Sequence, residues 1–254
     1  MFRDGFATVK KYFPNHKLLA VKGNHDVRVP GVKGHCNEPA ENAFLPLIAN
    51  ELGRKQIAGN YVVRQEEDLF IFFDGFTGSK AAEKFVRKAL ADNPHSRYTF
   101  FITHLPVLSC SGNVTWLTPA NQAIRKMLAR RNAVILTAHT HVPSFISVET
   151  PHGKLSQLVV CSMGSQWDRQ GAPQIKYDTF EKFRKSLDPE YVKQAAVQKR
   201  LNEMAGYRME AFEIYTRQSG FAVIKVNDRE VTVEMYGNDS GKPWRIKTVR
   251  ENQR

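Results

Sequence analysis

The stretch LLAVKGNHDVRVPG, Leu18 to Gly31, is an apolar run that stops at Gly23 and is followed at once by Asn24, His25 and Asp26. Glycine, asparagine and aspartate are ordinary turn residues, so the bland reading is a loop at a strand end. A histidine among them is not something a turn asks for. The same event recurs downstream: Thr99–Ile102 is followed by His104, and Ala133–Leu136 by His139 and His141. Each polar cluster stands just past a run that reads as a strand, and in α/β sheets the loops at the carboxyl ends of strands are where ligand sites are built.

Working outward, apolar or β-branched runs at Leu18–Val21, Tyr61–Val63, Leu69–Phe73, Thr99–Ile102, Ala133–Leu136, Phe145–Val148, Leu158–Val160, Phe221–Val226 and Val231–Met235 read as strands. Helical spacing and good helix formers occupy Glu41–Leu52, Lys80–Leu90 and Pro119–Arg130. Phe6, Val9 and Phe13 share a face of an opening helix, with Asp4 as its expected N-cap. Strands alternating with helices make this an α/β protein. From Asp178 to about Tyr215 the rhythm changes to an inserted helical pair, with a capping box at Asp178 and Glu181 and an Asp188-Pro189 start. Phe180, Phe183, Leu187, Leu201, Met204 and Tyr207 supply its apolar faces. The expected organisation is one domain over 1–254, with a core at about 1–165 and 219–254 and a helical insertion at about 166–218.

Composition narrows the function classes. At 254 residues and 42% hydrophobic, the chain can bury a substantial core. No run approaches the roughly eighteen apolar residues of a membrane span, and the N-terminus lacks the apolar core of a secretory signal. Three scattered cysteines, Cys36, Cys110 and Cys161, form no disulfide framework, so a reducing, cytoplasmic setting is the default. The net charge of +12 suits an anionic partner such as a phosphorylated compound. Its spread along the chain is that of solvated faces and argues against nucleic acid.

The polar clusters have metal-site chemistry. Imidazole suits Zn, Fe or Mn, and an asparagine oxygen adds a harder donor. His139 and His141, two apart, face different ions or share one through an irregular backbone. Cys36 and Cys110 read as small loop or apolar residues. His35 lines a cleft or sits in a loop, Trp116, Trp167 and Asp168 are candidates for pocket lining alone, and His16, His95 and His152 read as solvent-facing.

These motifs resemble the calcineurin-like metallophosphoesterase family. Gly23-Asn24-His25-Asp26 matches its G-N-H-[DE] motif, His104 in FFITHLP its single-histidine motif, and AHTH at His139 and His141 its G-H-x-H motif, with Ala138 replacing the glycine. The resemblance covers about 17–165 and resumes in the closing strands of 221–236. It implies a four-layer αββα sandwich of the metallo-dependent phosphatase type and hydrolysis of a phosphomonoester or phosphodiester by in-line attack of metal-bound hydroxide. By position, Asn24, His104 and His139 would ligate one metal and His141 the other, of the class Mn, Fe or Zn. His25 would protonate the leaving group, with Asp26 holding its ring.

The family's D-x-H and G-D-x-x-D motifs, which supply the carboxylate bridging the two metals, have no counterpart before Gly23, where the sole carboxylate is Asp4. The expectation is therefore either a longer protein, with the first strands missing here, or a non-catalytic binding or scaffold relative holding one metal.

Overall fold

The computed structural model describes residues 2–26, 42, 44–115, 117–160, 174–216, 219–237 and 241–251. Eight strands form one sheet: β1 (Tyr61–Gln65), β2 (Asp68–Phe73), β3 (Thr99–Thr103), β4 (Val134–Thr137), β5 (Ser144–Thr150), β6 (Gly153–Val159), β7 (Ile175–Tyr177) and β8 (Arg208–Tyr215). Their spatial order is β1-β2-β3-β4-β6-β5-β8-β7. The central pairs β2-β3, β3-β4 and β4-β6 are parallel, and the flanking pairs are antiparallel. A parallel centre needs both faces covered, and the strand alternation assigns each face its own core. Leu69, Ile71, Phe73, Phe101, Ile135, Ile146, Val148, Leu155 and Val159 face one side, where they meet helices. Phe70, Phe100, Val134, Phe145 and Leu158 face the other, against a three-stranded antiparallel sheet of β9 (Gly220–Val226), β10 (Glu230–Gly237) and β11 (Arg245–Glu251). Burying one such side chain contributes roughly 2 kcal/mol. Arg97 joins the layers, pairing in a fork with Asp68 at 3.0 and 2.7 Å and reaching Asp228 in the β9-β10 turn.

Helices α1 (Phe2–Tyr12), α2 (Leu45–Glu51), α3 (Ser79–Ala91) and α4 (Asn121–Ala129) fall where apolar residues recur at helical spacing. Helices α3 and α4 carry the crossovers β2-α3-β3 and β3-α4-β4. Asp4 lies inside the first turn of α1, not at its N-cap, because the helix already begins at Phe2. No described helix is long and apolar enough to cross a membrane.

Two expectations for the chain's course are corrected. Leu18–Val21 joins no strand ladder among the described residues, and backbone groups of Leu18 and Ala20 are met by side chains. Leu18 N–H donates to Glu51 Oε2 at 3.1 Å, and the Tyr61 hydroxyl both accepts from Ala20 N–H at 3.2 Å and donates to Ala20 C=O at 2.7 Å. Leu19, Ala20 and Val21 pack on Ile48, Tyr61 and Phe72.

The helical reading of 178–215 holds only as far as Ala205. It resolves into α5 (Phe180–Lys185), α6 (Pro189–Val192) and α7 (Ala195–Ala205), and is followed by β8, which pairs with β5 inside the large sheet. Alternation in RMEAFEIY, with Phe212 and Ile214 turned to the helical core, carries the strand. Asp188 caps α6 as expected, accepting from Glu190 and Tyr191 N–H, whereas Thr179, not Asp178, caps α5. Phe180, Phe183, Leu201 and Met204 are buried in the main core.

Candidate metal centre

The parallel strands put their carboxyl ends on one edge. Phe73 lies opposite Thr103 and Ile102 opposite Leu136, so the next residues in register, Asp74, His104 and Ala138, form one row. Ala138 N–H donates to His104 C=O at 3.2 Å and Thr137 Oγ1 to the same oxygen at 2.9 Å, tying the loops after β3 and β4 together. On the far side of His104 the loop is gripped by Gln157 of β6. Its Oε1 accepts from Val107 and Leu108 N–H at 2.8 and 2.7 Å, and its Nε2 donates to Leu108 C=O at 3.0 Å.

Three of the expected site residues meet. His104 Nε2 is 2.7 Å from Asn24 Oδ1 and 3.1 Å from His139 Nδ1. The amide oxygen only accepts, so His104 Nε2 carries the proton that faces it, and His139 Nδ1 is a second acceptor around the same N–H. Two lone pairs and one imidazole nitrogen thus converge on a single point. Donors sharing an ion at about 2.1 Å stand about 3.0–3.4 Å apart, so this spacing suits a metal in place of the proton after shifts of a few tenths of an ångström.

Local backbone makes that convergence possible. Residues 24–26 form one turn of 3-10 helix, closed by Asp26 N–H on Gly23 C=O and by Gly23 N–H on Asp26 Oδ2 at 2.7 Å. The glycine keeps this approach uncrowded: a Cβ on Gly23 would stand 3.1 Å from Cε1 and Nδ1 of His104 and 3.3 Å from Asp26 Oδ2. His139 sits at the centre of a three-residue turn, Thr140 N–H to Ala138 C=O at 2.8 Å, with φ of 68°, and His141 has φ of 54°. Left-handed backbone on two non-glycine residues costs about 1 kcal/mol or more each and persists where the surrounding structure over-determines it.

Burial, then the like charges of His139, His141 and His25, lower the His104 imidazole to about 4. Burial first, then His141 and His25, lower His139 as well. Both are neutral near pH 7, the state a metal needs. Burial raises the Asp26 carboxyl against the opposing pull of Gly23 N–H, His25 and Lys22.

Asn24, His104 and His139 are therefore in direct contact, and His141 and His25 are near enough to act on them through charge. His25 is exposed, and the polar contact of Asp26 is with Gly23 N–H. Among the described residues no group of three or more His, Cys, Asp or Glu side chains makes up an ion's ligand set; the centre is two imidazoles and an amide oxygen. Cys110 is buried in the helical core, its thiol pushed up to about 12. His16 and His95 are exposed, and His152 is half-buried. His35, Cys36, Trp116, Cys161, Trp167 and Asp168 lie outside the described residues.

Sequence reasoning missed Asp74, although FFD ends its strand as ITH ends the next. It also missed Gln157, for which a lone glutamine within a strand offered no signal.

No family model matches the chain, and no curated protein matches it. Among solved structures it is similar to GAP50, described as the anchor in the inner membrane complex of Plasmodium, at 12% identity and a TM-score of 0.44. The alignment covers 78% of this chain and 57% of that one, so the chain spans little more than half that protein's length.

Proposed function

We propose that this chain is a calcineurin-like metallophosphoesterase domain that binds a transition metal through Asn24, His104 and His139 and acts on a phosphorylated substrate. The observation that carries the reading is the convergence of Asn24 Oδ1 and His139 Nδ1 on His104 Nε2 at 2.7 and 3.1 Å. Three family motifs in order at this one sheet edge support the reading, and helices, large sheet and small sheet in succession supply three of the four layers of that family's αββα sandwich.

Mn, Fe or Zn bound there would supply Lewis acidity toward a phosphoryl oxygen. The chain's own residues do the rest. At pH 7 neutral His104 and His139 need no net proton loss to ligate: His139 Nδ1 already presents a lone pair, and His104 presents its Nε2 once its proton passes to Nδ1. Gly23 lets the turn close on the His104 ring. Exposed His25 would give a proton to a departing alkoxide, and His141 would hold a second ion.

A second reading, a non-catalytic relative that binds one metal and a phosphorylated ligand, is favoured by a specific observation. The two carboxylates nearest the centre in sequence and register have other contacts, Asp26 with Gly23 N–H and Asp74 with Lys22 Nζ at 2.9 Å. Two adjacent cations need a bridging anion to offset their repulsion.

Both readings are tested by titrating the chelator-treated chain with Mn or Zn while following hydrolysis of an aryl phosphomonoester and an aryl phosphodiester. Saturable metal uptake, lost in His104→Ala, with metal-dependent turnover supports the hydrolase. Uptake without turnover supports the binding relative. No uptake by the wild-type chain refutes both.

A further inference from the structure

The Lys22–Asp74 pair lies outside the ligand set and is built with more care than a surface ion pair needs. The two side chains are 14% and 11% exposed, with Nζ to Oδ2 at 2.9 Å. Every other group of Asp74 is engaged: Oδ1 accepts from Phe76 N–H at 2.9 Å, and its own N–H donates to Asn60 Oδ1 at 2.7 Å. Asn60 Nδ2 in turn donates to Thr77 Oγ1 at 2.8 Å. A Cβ on Gly59 would come within 3.0 Å of Asp74 Oδ2, so glycine there clears the carboxylate's position. The Lys22 ammonium also stands 5.9 Å from the centroid of the Phe76 ring.

This node links the two halves of the centre. Asp74 shares the strand-end row with His104, and the following Gly75 packs so closely on Leu105 that a Cβ would be 3.3 Å from Leu105 Cγ. Lys22 is two residues before Asn24, in a segment that has no ladder among the described residues and hangs on Glu51, Tyr61 and Asp74. Glu51 and Tyr61 act at Leu18 and Ala20; Asp74 acts nearest the turn and from the His104 row.

We infer that Asp74 is a positioning residue of the centre: through Lys22 it sets the approach of Asn24 Oδ1 to His104 Nε2. In its bearing on metal affinity this rests on the proposed metal site; in its bearing on the Asn24–His104 contact it does not. A purely structural ion pair would stabilise the chain without moving that contact.

The experiment uses the full chain with Asp74→Asn, the conservative Asp74→Glu, and the double variant Lys22→Met/Asp74→Leu, which removes both charges and so leaves no lone buried one. Long-range 1H–15N spectra of the metal-free proteins read the hydrogen-bonded Nε2 of His104, and titration with Co²⁺ alone reads affinity. Asp74→Asn should lose the bonded Nε2 signature and bind Co²⁺ about tenfold or more weakly, with Asp74→Glu recovering most of both. If Asp74→Asn does not fold, the double variant carries the same expectation. An unchanged His104 signature overturns the inference, even where the melting temperature falls. If wild-type chain takes up no Co²⁺ yet the signature changes, the metal reading fails and the positioning role stands.

Discussion

Acid should destabilise the metal-free chain well before its carboxylates titrate, and His104 should be the main cause. Its imidazole is lowered from 6.5 to about 4, first by burial and then by the like charges of His139, His141 and His25. Between those values the unfolded chain binds a proton that the folded chain refuses, so stability is fully present above about pH 7 and falls as pH falls. The two values give a loss of about 2 kcal/mol by pH 5 and about 3 kcal/mol by pH 4. His139, shifted the same way, adds to it. Glu51, Glu203 and Glu213 are lowered from 4.5 and release their contributions only below that. Asp26, raised by burial, acts with the opposite sign as pH falls, so the loss due to His104 is read as a difference between two proteins that share Asp26. Urea unfolding in the presence of chelator, at about pH 7.5, 6 and 5, compares wild type with His104→Gln, which keeps a polar side chain but cannot titrate. Wild type should lose about 2 kcal/mol more than the variant across that range. Parallel losses in the two proteins would mean that His104 is not held neutral by the fold.

Two further perturbations probe the loop and the reaction. Gln157→Leu would leave Val107 N–H, Leu108 N–H and Leu108 C=O without their partner in a buried setting; at about 1–3 kcal/mol per group, offset by leucine burial, urea unfolding should show a loss of about 3 kcal/mol, and a loss under about 1 kcal/mol would refute the clamp. His25→Ala, in protein with measurable turnover, should slow alkyl phosphoesters far more than aryl esters, whose phenolate departs unaided, with metal content unchanged; equal loss for both rules out the general-acid role.

The α/β class, the helices and most strands were legible because each depends on local periodicity. Leu69, Ile71 and Phe73 alternate with Phe70 and Phe72, and the two sets serve the two faces of the sheet. Asn24, His104 and His139 were legible as candidates because each stands one loop beyond an apolar run. The misreadings have a common origin. Leu18–Val21 has strand composition, yet whether such a run joins a ladder depends on what lies beside it, and here Tyr61 and Glu51 meet its backbone. In β8 the alternation of Phe212 and Ile214 with Glu213 is short and ends at buried Tyr215, and the helices before it drew the reading past Ala205.

Sequence alone determined which runs could be strands and that imidazoles and an amide oxygen stand just beyond three of them. Tertiary structure decided which of those groups meet. The Asn24–His104 contact spans 80 residues and the His104–His139 contact 35, and no local period encodes either. They follow from the parallel register that aligns Asp74, His104 and Ala138, and from the side chains of Glu51, Tyr61 and Asp74 that dock residues 18–23. Local propensity acts over a few residues, whereas a site assembled from strand ends exists only once the strands have paired.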